Sequence, residues 1–478
     1  EMDESLRERF KAEVRAMRAW TYLGMTMTFG KVPLITEVLD YNSPNIPRDE
    51  VSVIRDFIMK ELTEAAAILP EKYAGGYPNE KGRITKYACL SLKARAALYF
   101  GDYALAESTA KEVMDKGGFS LFKISSLSDA QKKEAEEMSL YIDFAEKGID
   151  KDEFVKGMFN YEALWHTENA NPDNPEYIMT RQYAASSWDY QDMTRYTSMR
   201  PNQLGGWSSV TPTQNLVDAY WGVDGHSVPQ LPTPEERAKA YNQIKADLDA
   251  YQKPEGEAKF IAFCQEKIKN GTLKDYKYIQ EFRNRDSRMY VSILMPFKSW
   301  YESNYGDKFV YEWIKNGNNE SKTGFNFRKM LSLENDANGD GQATGDYPCI
   351  RYAEILLIYA EAHTQTTGYD AATEAALNQL RDRCGMPDVP SGLSKEEGLK
   401  LIQNERRIEL AGEGFRGDDM TRYSDDYWKE HMNNVPIMTP DGDTELTMKW
   451  SSRMRLKPIP QTAIDLNPLL AGDQNPGY

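Results

Sequence analysis

The chain of 478 residues is poor in the residues that build common metal and redox centres. It has four cysteines and four histidines, with no Cys-x-x-Cys pair and no two histidines at metal-ligand spacing. A disulfide framework needs dense cysteines in a small chain, and a zinc site needs closely spaced ligands. We therefore expect buried free thiols at Cys89, Cys264, Cys349 and Cys384.

Positive charge is also scarce. There are 58 Lys and Arg residues against 74 Asp and Glu residues, which gives a net charge of −16. Nucleic-acid binding needs a basic stripe that releases counterions, and anionic lipid attracts basic segments. The balance therefore argues against both partners, whereas neutral ligands and cationic partners are compatible with an acidic surface.

Long apolar runs are missing as well. No stretch approaches the roughly 18 apolar residues that a membrane-spanning helix needs, and the N-terminus has no secretory signal pattern. Residues 1–20 already have the character of the interior of a charged helix. We therefore expect the natural protein to extend further upstream.

The first 120 residues predict helices. Apolar residues recur at helical spacing in 4–29 and again on one face of 51–62. Helices are also predicted over 85–100 and 104–116, on either side of a Gly-Asp turn. Two helices joined by a short turn, with small residues in the packed stripe, are typical of a tetratricopeptide-like hairpin.

A similar hairpin is predicted late in the chain. An amphipathic helix begins at Tyr352, a turn follows at 368–370, and a second helix covers 371–383. Another helix is predicted over 399–411, with a capping box that starts at Ser394. The sequence thus predicts a mainly α fold, in which tetratricopeptide-like hairpins form a superhelical scaffold.

The middle of the chain has a different composition. Trp, Tyr, Asn, Gly and Pro become more frequent between about 120 and 345, and helical periodicity weakens. We expect a loop-rich cap there, with short strands and isolated helices such as 234–252, followed by a proline-rich and mostly irregular segment over 432–478. The predicted parts are 1–120, 121–345 and 346–478 within one compact unit. Long irregular segments often carry function, so the middle part is the predicted binding region.

Aromatic residues in this middle part are the candidate ligand contacts. A neutral glycan needs flat apolar faces for its C–H surfaces and polar side chains for its hydroxyls. Two windows, 183–207 and 300–305, combine aromatics with such polar residues. The candidates are Trp188, Tyr190, Trp207, Trp300, Tyr301 and Tyr305. The alternative is that these rings pack beneath loops; Tyr73 and Tyr77 are weaker candidates.

One short loop has half of a calcium-binding pattern. Asp336, Asn338 and Asp340 supply oxygen ligands at positions 1, 3 and 5, and Gly341 follows at position 6. The usual Glu at position 12 is replaced by Tyr347. The alternative is an ordinary polar turn. No other cofactor is predicted.

Two carboxylate pairs could suggest acid–base catalysis. Glu354 with Glu361 and Glu405 with Glu409 lie on predicted helices with arginines nearby. Salt bridges are the better interpretation, since a glycosidase dyad flanks a sugar rather than pairing with arginines.

Several segments, in a fixed order along the chain, carry a resemblance to a known family. They are 12–20, 29–34, 82–86, 212–218 with Tyr220 and 224–225, 285–288, 324–325, 328–329, 350–362, 405–410 with Arg416, 456–460 and 474–478. In this order they resemble the SusD/RagB family of bacterial nutrient-binding lipoproteins. Serine replaces the proline of the family's Arg-Asp-Pro-Arg element at Arg285-Asp286-Ser287-Arg288.

The resemblance implies a non-catalytic, cell-surface lipoprotein of the outer membrane. It would bind an oligosaccharide or polysaccharide and deliver it to a SusC-like TonB-dependent transporter. The alternatives are a peptide-binding lid of such a transporter, a glycoside hydrolase, or a helical scaffold for protein partners. Family members normally carry further helices before the segment that matches 15–20, and a lipid-bearing cysteine, neither of which is in this sequence.

Overall fold

The computed structural model describes residues 2–40, 43–74, 80–166, 168–183, 202–301, 309–331 and 344–478. Helices dominate this part of the chain. They are α1 Glu4–Phe29, α2 Val51–Ile68, α3 Lys86–Tyr99, α4 Tyr103–Lys116, α5 Asp129–Glu137, α6 Phe144–Lys147, α7 Lys151–Ala163, α8 Gln214–Ala219, α9 Pro234–Ala250, α10 Lys259–Lys269, α11 Lys277–Gln280, α12 Ser287–Ser292, α13 Tyr352–Thr366, α14 Ala371–Cys384, α15 Lys395–Glu409, α16 Phe415–Arg422, α17 Asp425–Met432 and α18 Gln461–Leu466.

The described strands are short and form four antiparallel pairs. β1 pairs with β6, β2 with β5, β3 with β4, and β7 with β8. Their bounds are β1 Tyr177–Arg181, β2 Ile293–Leu294, β3 Ser299–Trp300, β4 Phe309–Val310, β5 Asn326–Phe327, β6 Tyr347–Arg351, β7 Pro436–Met438 and β8 Thr444–Thr447. The mainly α class predicted from the sequence is confirmed.

The helical hairpins pack around one central helix. α1 to α4 pack in succession, and α13 contacts α3, α4, α14 and α15. Almost every residue of α13 is buried, and it shares a core with the alanine-rich inner faces of α1 to α4. The predicted hairpins 85–116 and 352–383 are therefore present, and the Ser394–Glu397 capping box is formed as predicted.

The middle part contains more helix than its sequence pattern predicts. α7 and α10 lie within it, beside the predicted α9. α7 is buried on nearly all sides from Phe154 to Ala163. A helix without a solvent face needs no amphipathic stripe, so periodicity could not reveal it. α7 belongs to a second core, which α12 and the short strands β2 and β3 share.

Two glycines allow the backbone of α7 to pack directly against the backbone at the end of α14. A Cβ at Gly157 would lie 2.1 Å from the carbonyl carbon of Cys384. Gly385 has a φ of +64°, a left-handed conformation that glycine adopts without strain, and its Cβ would meet the Glu153 carbonyl oxygen at 2.3 Å. The Asn160 side chain then donates a hydrogen bond to the Arg383 carbonyl oxygen at 3.0 Å. This contact joins the two cores.

A fully buried ionic network lies where the cores meet. Glu409 pairs with Arg288 at 2.9 Å, with Arg351 at 2.8 Å and with Arg383. All four side chains are at most 1% exposed. The three guanidinium groups hold the pKa of the Glu409 carboxyl well below its usual range, although burial alone would raise it. Paired charges can persist without water only when each is compensated in this way.

The two carboxylate pairs noted in the sequence take part in such ion pairs. Glu405 binds Arg288 at 2.7 Å and Arg381 at 2.6 Å. Glu354 pairs with Arg95 at 2.5 Å, and Glu361 pairs with Arg422. The salt-bridge interpretation is therefore confirmed for both pairs.

The cysteines are unpaired, as their wide spacing in the sequence predicts. All four cysteines are free, and three of them are buried; Cys349 is half-buried. Among the described ranges, no helix is both long and apolar enough to cross a bilayer.

Substitution of Glu409→Gln should lower the free energy of unfolding by about 3–5 kcal/mol, since three buried arginines would lose their shared counter-charge. Urea denaturation measures this. Asp115→Asn is the matched control, because the Lys111–Asp115 pair is about half exposed and should contribute at most about 1 kcal/mol. Equal effects of the two substitutions would contradict a special role for the buried network.

Candidate functional site

The sequence-predicted contacts fall partly outside the described residues. Trp188, Tyr190 and Tyr305 lie there, as do the candidate calcium ligands Asp336, Asn338 and Asp340. The described residues that border these stretches define what we call the loop-root surface. Its members are Tyr183, Gln203, Trp207, Tyr301, Glu312 and Asp346.

The end of the β1–β6 pair brings two of these borders together. Arg181 is opposite Tyr347 in the antiparallel register. The Asp346 carboxylate accepts a hydrogen bond from the Tyr183 backbone N–H at 3.2 Å and one from the Thr180 hydroxyl at 3.5 Å. The chain before residue 184 and the chain after residue 343 are therefore neighbours.

The β3–β4 pair brings two further borders together. Trp300 is opposite Phe309, so the chain before residue 302 lies beside the chain after residue 308. The Glu312 backbone N–H donates to the Gln203 side-chain oxygen at 3.2 Å. This bond places the segment that carries Trp207 next to β4.

The C-terminal end of α7 connects the two strand pairs. The Asp346 N–H donates to the Ala170 carbonyl oxygen at 2.8 Å, just beyond α7. Arg328 binds Glu162 of α7 at 2.5 Å, and its guanidinium carbon lies 4.9 Å from the centre of the Trp300 ring. Both strand pairs are thus connected to α7 or to the segment that follows it.

Two of the predicted aromatics are accessible on this surface. The Trp207 side chain is 41% exposed, the largest exposed fraction of any tryptophan in the described part of the chain. Tyr301 is half-buried, and its hydroxyl donates to Glu137 at 2.5 Å. Gln203 is one of the polar residues of the predicted 183–207 window. Sequence analysis had not marked Glu137 or Glu312. These two approach the aromatics only through folding, and no local sequence signal could have identified them.

The structure corrects the placement of Trp300. Its side chain is 1% exposed, with Arg328 over the ring face and Phe309 edge-to-face at 6.5 Å. Tryptophan next to polar residues in a loop-rich window suggested exposure, but β3 directs this ring into the core. Trp300 therefore packs the base of the surface and does not offer its face to a ligand.

Tyr73, a weaker candidate, also makes a hydrogen bond within the protein. Its hydroxyl donates to Glu13 at 2.9 Å, and Tyr77 lies outside the described residues. The segment that begins at residue 80 packs against the end of β1. A Cβ at Gly82 would lie 2.4 Å from the side-chain amide carbon of Gln182. Gly82 has a φ of +93°, which also favours glycine.

Burial changes the acid–base behaviour of Asp346. It raises the pKa of this carboxyl to about 6, although the hydrogen bonds from Tyr183 and Thr180 act in the opposite direction. In the described part of the chain, no three His, Cys, Asp or Glu side chains are grouped so as to hold a metal ion. The calcium site remains a prediction.

Comparison with known proteins identifies the family of this chain. Residues 175–478 match the model of the SusD family. The chain belongs to the SusD family. The SusD-like protein P38 of Formosa agariphila is 22% identical over 428 residues, which cover 86% of this chain and 66% of P38. This chain therefore spans slightly less than two thirds of that relative.

Solved structures of the same family share the fold. A SusD-like protein from Bacteroides fragilis superposes with a TM-score of 0.72 at 26% identity, over 100% of this chain and 81% of that one. A SusD-like carbohydrate-binding protein from Bacteroides fragilis gives a TM-score of 0.65 at 21% identity, over 98% and 81%. The helical scaffold is thus a SusD-like scaffold.

Trp300→Ala should destabilise the protein by about 3–5 kcal/mol, because it empties a large buried site. Trp300→Phe retains most of the apolar contact and should cost less. Trp207→Ala is the control at an exposed position and should change stability by less than about 0.5 kcal/mol. Thermal and urea denaturation of the three variants test this order, and a stable Trp300→Ala protein would contradict the core placement.

Asp346 should make stability depend on pH. Because its pKa is raised in the folded state, its stabilising contribution is present below about pH 4 and is lost as pH rises through about 6. The free energy of unfolding of wild type relative to Asp346→Asn should fall between pH 4 and 7, by on the order of 1–3 kcal/mol. Urea titrations at several pH values measure this difference, with Asp56→Asn as an exposed control. Parallel wild-type and Asp346→Asn profiles would refute the assignment.

Proposed function

We propose that this protein binds a neutral oligosaccharide or polysaccharide at the cell surface without cleaving it. Membership of the SusD family, shown by the match over residues 175–478, carries this proposal. The Bacteroides fragilis relative with the same fold is a carbohydrate-binding protein. The net charge of −16 favours a neutral glycan over an acidic one, since like charges repel.

The loop-root surface has the chemistry that such a ligand needs. Trp207 offers an exposed indole, and Tyr301 adds a half-buried phenol. The Gln203 and Glu312 side chains supply amide and carboxylate groups for sugar hydroxyls, and both lie beside the segment that carries Trp207. Aromatic faces with a few placed polar groups are the usual composition of small-ligand sites. Trp188, Tyr190 and Tyr305 belong to the same proposal.

The absence of catalysis is part of the proposal. A glycosidase needs two carboxyl groups on either side of the scissile bond, with room for the sugar between them. The most prominent carboxylate pairs of this chain are instead neutralised by arginines in buried ion pairs. This arrangement favours a stabilising role for them.

We further propose that the protein acts as an outer-membrane lipoprotein that passes its ligand to a SusC-like TonB-dependent transporter. This step rests on the family alone. A peptide ligand is the alternative, and a polysaccharide-binding screen distinguishes the two.

Affinity gel electrophoresis with laminarin, xyloglucan, amylopectin and polygalacturonate tests the proposal. We expect retardation by at least one neutral polysaccharide, with a dissociation constant between about micromolar and millimolar, because sugar hydroxyls exchange water for protein hydrogen bonds at little net gain. Trp207→Ala should weaken binding about tenfold, and Tyr301→Ala should weaken it less. Tyr478→Ala, at another exposed aromatic residue, is the control and should bind normally.

The same samples are analysed for released sugars. Cleavage products from any retained polysaccharide would assign the protein to an enzyme class and refute the non-catalytic role. Retention by polygalacturonate alone would refute the preference for neutral glycans. No retention at all, together with binding of a peptide mixture, would support the peptide alternative. Normal binding by both variants would show that the ligand uses another surface.

A further inference from the structure

A pocket that is partly open to solvent lies beneath the β7–β8 hairpin, among residues that the loop-root surface does not include. Its volume is about 150 Å³, and it is lined by residues of α8, α9, the turn at 323–325 and the hairpin. We call it the hairpin pocket. The lining residues that matter below are Gln214, Asp218, Arg237, Tyr278, Glu281 and Phe325.

The hairpin is fixed over the pocket by several contacts. Lys315 pairs with Asp441 at 2.5 Å and with Asp443 at 2.6 Å, near the hairpin turn. Pro440 packs so closely on Gly324 that a Cβ there would lie 2.1 Å from the proline ring. Gly324 has a φ of +79°. The cover of the pocket is therefore built into the fold.

Four polar side chains form one wall, and they leave part of their hydrogen-bonding capacity unused. The Gln214 amide nitrogen donates to Asp218 Oδ1 and to Glu281 Oε1, both at 2.9 Å. Arg237 donates to the same two oxygens, at 2.8 and 2.6 Å.

Each carboxylate thus uses one oxygen for both donors. Within the described residues, Asp218 Oδ2, Glu281 Oε2 and Arg237 Nη1 have no protein partner. These atoms provide two acceptors and one donor for a ligand that carries hydroxyl groups.

The rest of the lining is mixed, with apolar side chains beside Asn215, two threonines and one buried tyrosine hydroxyl. Tyr278 is only 4% exposed, and its hydroxyl finds no hydrogen-bond partner among the described residues. A buried hydroxyl without a partner costs about 1–3 kcal/mol, so its presence calls for an explanation. Phe325 and Met438 supply apolar surface nearby. A ligand with both hydroxyls and C–H faces would satisfy both kinds of surface.

The pocket adjoins a wider, open cleft. Arg237 and Glu281 line both spaces, and the cleft, between α9 and the segment 275–281, has a volume of about 890 Å³. A space of about 150 Å³ is large enough for one small ring. The pair of spaces can therefore hold one ring in the pocket and the continuing chain in the cleft.

We propose that the hairpin pocket is a second binding site, which takes one sugar residue of a neutral glycan. The choice of ligand class rests on the proposed function. The site itself rests on the pocket, on the unused atoms of Asp218, Glu281 and Arg237, and on the Tyr278 hydroxyl.

Saturation-transfer NMR on the whole chain tests this site directly. The probes are D-glucose, D-galactose, D-mannose, D-xylose and N-acetyl-D-glucosamine, each added alone. We expect transfer to at least one of them in the wild type. Ala238→Phe, which fills the pocket from α9, should abolish it, and Asp218→Asn should weaken binding at least tenfold. Gln214→Ala is a second polar variant, in case Ala238→Phe does not fold.

Two controls separate this site from the loop-root surface. Glu235→Gln lies on α9 outside the pocket lining and should bind like wild type. Trp207→Ala should keep monosaccharide transfer while weakening polysaccharide retention. Transfer that survives in both Asp218→Asn and Gln214→Ala, or transfer from none of the five sugars, would overturn the inference.

Failure of the two proposals gives different results. Polysaccharide retention without monosaccharide transfer would support the proposed function and refute the second site. Monosaccharide transfer that the pocket variants remove, without retention by any polysaccharide, would support the second site and contradict polysaccharide capture at the loop-root surface.

Discussion

The buried ionic network around Glu409 is the constraint on which the rest of the structure depends. Its arginines come from α12, from β6 and from α14, so one carboxylate connects three elements that are distant in sequence. Replacing such a network by apolar residues can be neutral or stabilising, so stability alone does not explain it. Charges that are satisfied in only one arrangement exclude the others, and we infer that the network specifies how the two cores join.

The same network extends to the base of the loop-root surface. Lys329 donates to the carbonyl oxygens of Glu409 and Ala411 and pairs with Glu413 at 2.6 Å, and burial lowers its pKa to about 8. Its neighbour Arg328 covers Trp300 and binds α7. The proposed binding surface requires such support, because buried side chains beneath it hold the described residues that border it in place.

Local patterns were enough to predict the helical hairpins, but not the site. α13 could be predicted because its spacing, turn and flanking helix agree within about thirty residues. α7 could not, since complete burial removes the amphipathic signal. Trp300 and Tyr301 are adjacent in sequence and have the same local composition, yet one is core and the other half-exposed. Only the pairing of β3 with β4, which is a tertiary contact, separates them.

The hairpin pocket could not be predicted from the sequence for a related reason. Its polar wall combines α8, α9 and the segment around Glu281, and its cover comes from a proline-rich region that we expected to be irregular. The side chains there are ordinary for an ion-paired surface when each is considered alone. What distinguishes them is that both donors use the same carboxylate oxygens, which leaves the remaining oxygens available beside a pocket. Fully compensated ion pairs, like those around Glu409, leave nothing for a ligand. Incomplete pairing beside a cavity is therefore the property that separates a binding site from a structural charge cluster in this protein.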